Sequence, residues 1–185
     1  HDFGRGLPDN TLPAYDKAMK HGYGVVMDVR ITRDGTPVVF TDNNLWRLAS
    51  IEGSVEEKSY DEIKEITLVD TDSKIPTLKE ALDLIDGQIP VVLNLKSVNN
   101  NSVELCEACA VITDQYEGIV AVESIDYRCV SWFRRYRPAI IRGQMFEKTV
   151  DFGNSLFTFM KMLANNMLLT NYFSRPDFIS THMVD

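Results

Sequence analysis

A chain of 185 residues with net charge −8, 44% hydrophobic and 25% charged residues has the size and make-up of one ordinary globular unit. The acidic balance excludes a duplex nucleic-acid binder, which needs a basic face to release counterions, and it opposes docking on anionic lipid. Nothing resembles a signal peptide or a bilayer-spanning run, so a cytoplasmic protein is expected; the chain opens on His1 and not Met, so its natural start is expected upstream.

In chain order, "HDFGRGLPDN" reads as loop, and a helix follows. Asn10 or Thr11 can cap it, Pro13 is tolerated in its first turn, Leu12, Tyr15, Ala18 and Met19 share one face, and Gly22 ends it. "GVVMDV", the turn "RDGT" and "PVVFTD" predict a hairpin. Ser59 with Glu62 and Thr77 with Glu80 are capping boxes that open "SYDEIKEI" and "TLKEALDLID" as helices. Strands and helices then alternate: "IPVVLNLKS", helix "SVELCEACAVITDQ", "GIVAVESID", helix "YRCVSWFRRY", "AIIRGQMF", helix "SLFTFMKMLANNMLL" and "PDFISTHM". Apolar strands separated by amphipathic helices imply a parallel sheet with helical crossovers, either doubly wound or a barrel, in one α/β unit spanning 1–185. Cys106, Cys109 and Cys129 fall in two of these helices; with no second Cys pair and no nearby histidine, buried thiols in a reducing setting are preferred over a redox or zinc site.

Sites in such folds gather at the carboxyl ends of the strands. The residues there are Asp28, Thr41, Asp42, Asn94, Lys96, Glu123, Ser124, Arg142, Gln144 and His182. An acid suited to a cation stands with a lysine and an arginine suited to an anion, which predicts phosphate binding with or without a divalent metal. The plainer reading is that some of these groups only close strand ends and pair with one another. Three weaker features have bland alternatives too. "SLFTFMKMLANNMLL" reads as a membrane-surface helix or, with its single lysine, as a packing helix; "WFRRYRP" as a phosphate or lipid patch or a solvated face; Trp46 as a pocket rim or loop packing.

"LPDNTLPAYDKAMKHGYGVVMDVRITRDGTPVVFTDNNLWRL" resembles the signature of the glycerophosphodiester phosphodiesterase family: Pro-Glu-Asn-Thr/Ser, then Gly-Tyr-Gly-x-Glu-x-Asp-Val, then Thr-x-Asp-Gly-x-Pro-Val-Val-Phe-His-Asp. "IPTLKEAL", "VVLNLKS", "VESIDYRCVSWFRRYRP", "IIRGQMF" and "RPDFIS" are similar to successive later blocks, so the resemblance covers nearly the whole chain in order. It implies a (β/α)₈ TIM barrel, a bound Ca²⁺ or Mg²⁺, and hydrolysis of glycerophosphodiesters to glycerol 3-phosphate and an alcohol. A small phosphodiester or phosphate is the implied ligand, with Lys96, Asp42, Glu123, Arg142 and Gln144 as the implied phosphate-binding set.

The chain departs from that pattern at its reacting groups. Against the family's Glu-x-Asp it has Val26-Met27-Asp28, which leaves Asp28 as the implied metal ligand; against His-Asp it has Thr41-Asp42; against Glu-x-Lys it has Asn94 before Lys96; and against Glu-Asn it has Asp9-Asn10. His1 matches a second, non-catalytic histidine of the pattern, the alternative being the catalytic one with Asp2 and Phe3 replacing Arg and Gly. A hard cation wants several oxygen ligands, and Val26 offers none while Asn94 is uncharged. A threonine hydroxyl does not titrate near neutrality, and each lost proton-transfer partner is worth roughly 10²–10⁴-fold. Weak or absent metal binding and severely impaired hydrolysis are therefore expected, the alternative being a non-catalytic module that binds a phosphorylated ligand or a partner. Only five barrel strands are identifiable, so an incomplete barrel with open sheet edges and self-association is also expected.

Overall fold

The computed structural model describes residues 7–146 and 171–181. One six-stranded sheet, β1 (Val25–Ile31), β2 (Pro37–Val39), β3 (Val91–Leu95), β4 (Val120–Ser124), β5 (Ile141–Phe146) and β6 (Phe178–Thr181), runs in the order β2-β1-β3-β4-β5-β6. β2 folds back antiparallel on β1 across the Asp-Gly turn, and every other neighbour is parallel. The five parallel strands are those expected of the barrel, so the fold is α/β of TIM-barrel type with part of the barrel wall present.

Helices α1 (Leu12–Lys20), α4 (Leu78–Ile85), α5 (Ser102–Thr113) and α6 (Tyr127–Tyr136) follow the predicted runs closely. The short α2 (Trp46–Ala49) and α3 (Tyr60–Ile63) lie between β2 and α4. The boxes at Ser59 and Thr77 form as expected, each hydroxyl accepting from the amide of its glutamate while the glutamate returns the bond. At α1 neither candidate caps with its side chain: Thr11 donates to the Pro8 carbonyl at 2.7 Å, and Asn10 turns inward.

Pleat alternation divides the sheet. Met27, Val29, Leu93, Leu95 and Val122 meet Tyr15, Leu82, Leu105 and Phe133 in the main core between sheet and helices. Val26, Asp28, Arg30 and Asn94 turn to the concave face. A second cluster around Val38, Phe40, Leu45 and Ile63 fills the layer beyond β2. On the concave side Gly143 lies against the Phe178 ring, which a Cβ there would approach to 2.3 Å, so a larger residue would have to displace the ring.

Cys106, Cys109 and Cys129 are buried and free, as expected of core thiols. The arginines after Trp132 behave as a solvated face: Arg137 pairs with Asp114 at 2.6 Å and Arg135 lies over the Tyr136 ring. The Trp46 ring is exposed. The predicted helix at 155–169 lies outside the described residues, and among those described no helix is long and apolar enough to cross a membrane.

Candidate functional site

Asp28 stands near the carboxyl end of β1 and is paired in register with Asn94 of β3, which sets their side chains next to each other on the concave face. Asn94 Nδ2 donates to Asp28 Oδ1 at 2.7 Å, and the Lys96 ammonium lies 3.3 Å from the same oxygen. Asn10 closes the other side. Its amide donates to Asp28 Oδ2 at 3.2 Å and to the Thr41 hydroxyl at 2.5 Å. Its carbonyl accepts from the Tyr15 hydroxyl at 2.8 Å and from the Asp28 amide at 3.2 Å. Asn10 reaches this position from the left-handed region, φ 60°, where asparagine is tolerated better than most residues. Burial, with the nearby charges of Asp28 and Asp9, pushes the Tyr15 hydroxyl well above the ordinary range, so it remains a donor at any working pH.

Beside this cluster opens a polar cleft of about 890 Å³, walled by the ends of β1, β3 and β4 and the start of α6. Arg30, Lys96 and Arg128 supply its cations, Asp42 and Asp126 its acids. Arg30 is 1% exposed; it donates to Glu56 at 2.9 Å, to the Thr41 carbonyl at 3.2 Å and to Asn43 at 2.5 Å. Its Nε and the Oδ1 of Asn94 are buried with no hydrogen-bond partner. Arg128 is turned to Asp126 and to Asn100 Oδ1, and Asp42 is gripped by Arg47 through two bonds of 2.7 Å.

Of the residues singled out in the sequence, the fold thus brings Asp28, Thr41, Asn94 and Lys96 into contact or one bond apart, with Asp42 at the cleft wall. Val26 shares their face and is half exposed. Glu123, in register with Asn94, is buried and accepts from Ser180 at 2.7 Å. Ser124 donates to the Leu95 carbonyl at 2.7 Å. Arg142 and Gln144 are not brought to the cluster. Their register partners are Val122 and Ser124, which places them on the helix-facing side. There Arg142 holds the Pro138 and Ile140 carbonyls and Asp177, and Gln144 holds the Ser124 and Ile125 carbonyls. A strand-end list made without register cannot separate the two faces, since one residue of slip exchanges them. Arg30 went unnoticed although it sits two residues beyond Asp28, the spacing that keeps one strand face. His1 and His182 lie outside the described residues.

Residues 3–165 match the glycerophosphoryl diester phosphodiesterase family. The chain belongs to that family. A glycerophosphodiester phosphodiesterase of Caldanaerobacter subterraneus is 28% identical over 77% of this chain and 63% of its own length. Another, of Bacillus altitudinis, is 31% identical over 53% of this chain and 43% of its own. The chain therefore spans less than two thirds of these relatives. Among solved structures, an Oleispira antarctica phosphodiesterase in complex with the product sn-glycerol-3-phosphate superposes with TM-score 0.75 at 20% identity, over 97% of this chain and 81% of that one.

Glycerophosphodiester phosphodiesterases are generally metal-dependent. The donor set here does not fit a hard divalent cation, which takes six or more oxygens with carboxylates prominent among them. Among the described residues no three His, Cys, Asp or Glu side chains are placed so that they could hold a metal ion. Around Asp28 stand two amide N–H donors and an ammonium, and Val26, two residues before it on the strand, offers no oxygen. A cation beside Oδ1 would require the Asn94 amide turned over and Lys96 displaced.

Proposed function

We propose that this chain recognises a phosphate ester of the glycerol phosphate kind in the cleft and has lost most or all of the hydrolytic step of its family. The observation that carries the reading is the polar cleft with Lys96 and Arg30 at its wall, beside an Asp28 already engaged by hydrogen-bond donors. The sn-glycerol-3-phosphate bound by the Oleispira antarctica protein supports this ligand class. Thr41 offers no group that titrates near neutrality, so one proton-transfer role is unfilled at that position. Ca²⁺ or Mg²⁺ is held weakly or not at all in this reading, because one carboxylate supplies too little attraction. A cytoplasmic setting fits the three free thiols, and self-association through the open edge of the sheet belongs to the same reading. The retained Asp28–Lys96 pair favours residual turnover as the second reading.

Two measurements on one preparation decide between them: thermal stabilisation by sn-glycerol 3-phosphate, and release of glycerol 3-phosphate from glycerophosphocholine with calcium or magnesium added. Stabilisation with no release is expected. Metal-stimulated release at ordinary enzyme rates would overturn the proposal.

A further inference from the structure

We infer that anion binding in this cleft is independent of metal, with the Lys96 ammonium supplying the positive charge. The inference rests on the reading of the cleft as a phosphate site and adds what supplies the positive charge.

An ammonium carries three donors, and the contact to Asp28 engages one of them. That contact, at 3.3 Å, is longer than the 2.7–2.9 Å usual for a charge-assisted bond, so the ammonium can be shared with an incoming oxyanion at little loss. Lys96 is fixed from below: its amide donates to the Val29 carbonyl at 2.9 Å, continuing the β1–β3 ladder. Its side chain is 24% exposed, open enough to meet a ligand.

The wall of the same cleft holds two buried polar atoms that no protein group satisfies. Arg30 Nε is a charged donor on a residue 1% exposed, and Asn94 Oδ1 is an acceptor on a residue 3% exposed. Buried orphans of this kind are uncommon in folded proteins. Arg30 calls for an anionic oxygen, whereas the Asn94 carbonyl oxygen would accept from a ligand hydroxyl or meet a cation. A divalent cation gives nothing to Arg30, and it would meet the Asn94 and Lys96 donors already turned to Asp28. The cations at the wall therefore suit a phosphate ester arriving without an ion.

The test follows the thermal midpoint of the whole chain with inorganic phosphate and with sn-glycerol 3-phosphate, each in excess EDTA and in millimolar CaCl₂. The midpoint shift should be the same in both, corresponding to affinities within about twofold. Lys96→Met should lose the shift. A Val26→Glu, Asn94→Glu variant should bind calcium by calorimetry and become dependent on it for phosphate. A shift seen only with calcium overturns the inference while leaving the phosphate reading intact. No shift in either buffer overturns both. A full shift in folded Lys96→Met shows that Lys96 is not the cation, and if that variant does not fold, the two-buffer comparison on the unaltered chain still decides metal independence.

Discussion

Asn10 ties four groups with one side chain: the Asp28 carboxylate and amide, the Thr41 hydroxyl and the Tyr15 hydroxyl. Replacing it with alanine leaves the Tyr15 hydroxyl, which sits on a residue 3% exposed, without its acceptor. It also places a Cβ without polar compensation at φ 60°. The expected cost is about 1–3 kcal/mol for the orphaned group, plus roughly 1–2 kcal/mol of left-handed strain. Asn10→Gly removes the strain and keeps the loss of bonds, and Tyr15→Phe removes the hydroxyl alone, for about 0.5–1.5 kcal/mol. Urea midpoints of the three variants separate these contributions. An Asn10→Gly protein as stable as the parent would show that the network adds nothing to the fold. In the sequence this residue looked like a helix cap, because Asn before a helix is the commonest reason for Asn. What drew it inward is the Asp28 carboxylate, 18 residues away, which local spacing does not display.

Elements were legible wherever a local rule fixed them. The boxes at Ser59 and Thr77 and the alternation after Ile89 placed strands and helices within a few residues, because each depends on neighbours in sequence. Which face a strand residue takes depends on register with the next strand, and there Arg142 and Gln144 parted from Asn94 and Glu123. The start of α6 joins element to cleft. Asp126 accepts from the Arg128 amide at 3.0 Å and from Ser97 at 2.7 Å. Burial pushes its carboxyl up, but the bonds from Arg128 and Ser97 outweigh burial and hold it below the usual carboxylate value. With the folded pKa depressed, the stability it contributes is fully present above the unfolded value, about 3.9. It is lost as pH falls through the lower folded value. Asp126→Asn should therefore be less stable than the parent near neutrality, and the gap should narrow once pH drops below about 4. Denaturation midpoints of the two proteins between neutral and acid pH check it, and a gap constant across that range would mean that the charge of Asp126 contributes nothing.

At the scale of the whole molecule, parallel topology followed from composition of the runs, and the substituted reacting groups followed from family motifs; the proposed self-association rests on the sheet. β6 has β5 on one side and, among the described residues, no strand on the other, while β2 at the opposite end is closed off by Val39 donating to the Pro76 carbonyl at 2.9 Å. Ile179 in β6 is 50% exposed, and Val26 and Ile141 stand 54% and 49% exposed elsewhere on the sheet. An open edge with apolar side chains beside it is a template for a second strand. Opposing this is the net charge of −8, which repels like copies over a screening length of about 10 Å at 0.1 M salt and about 3 Å at 1 M. Association should therefore strengthen both with protein concentration and with salt, the reverse of a contact held by opposite charges. Sedimentation velocity at rising concentration, in low and high salt, should show the mean mass climbing from that of one chain toward that of two. Ile179→Glu adds a like charge at the edge and should hold the protein monomeric under the same conditions. A single monomeric species at every concentration and salt would mean that the edge is already satisfied within the chain, and the variant would then sediment identically to the parent.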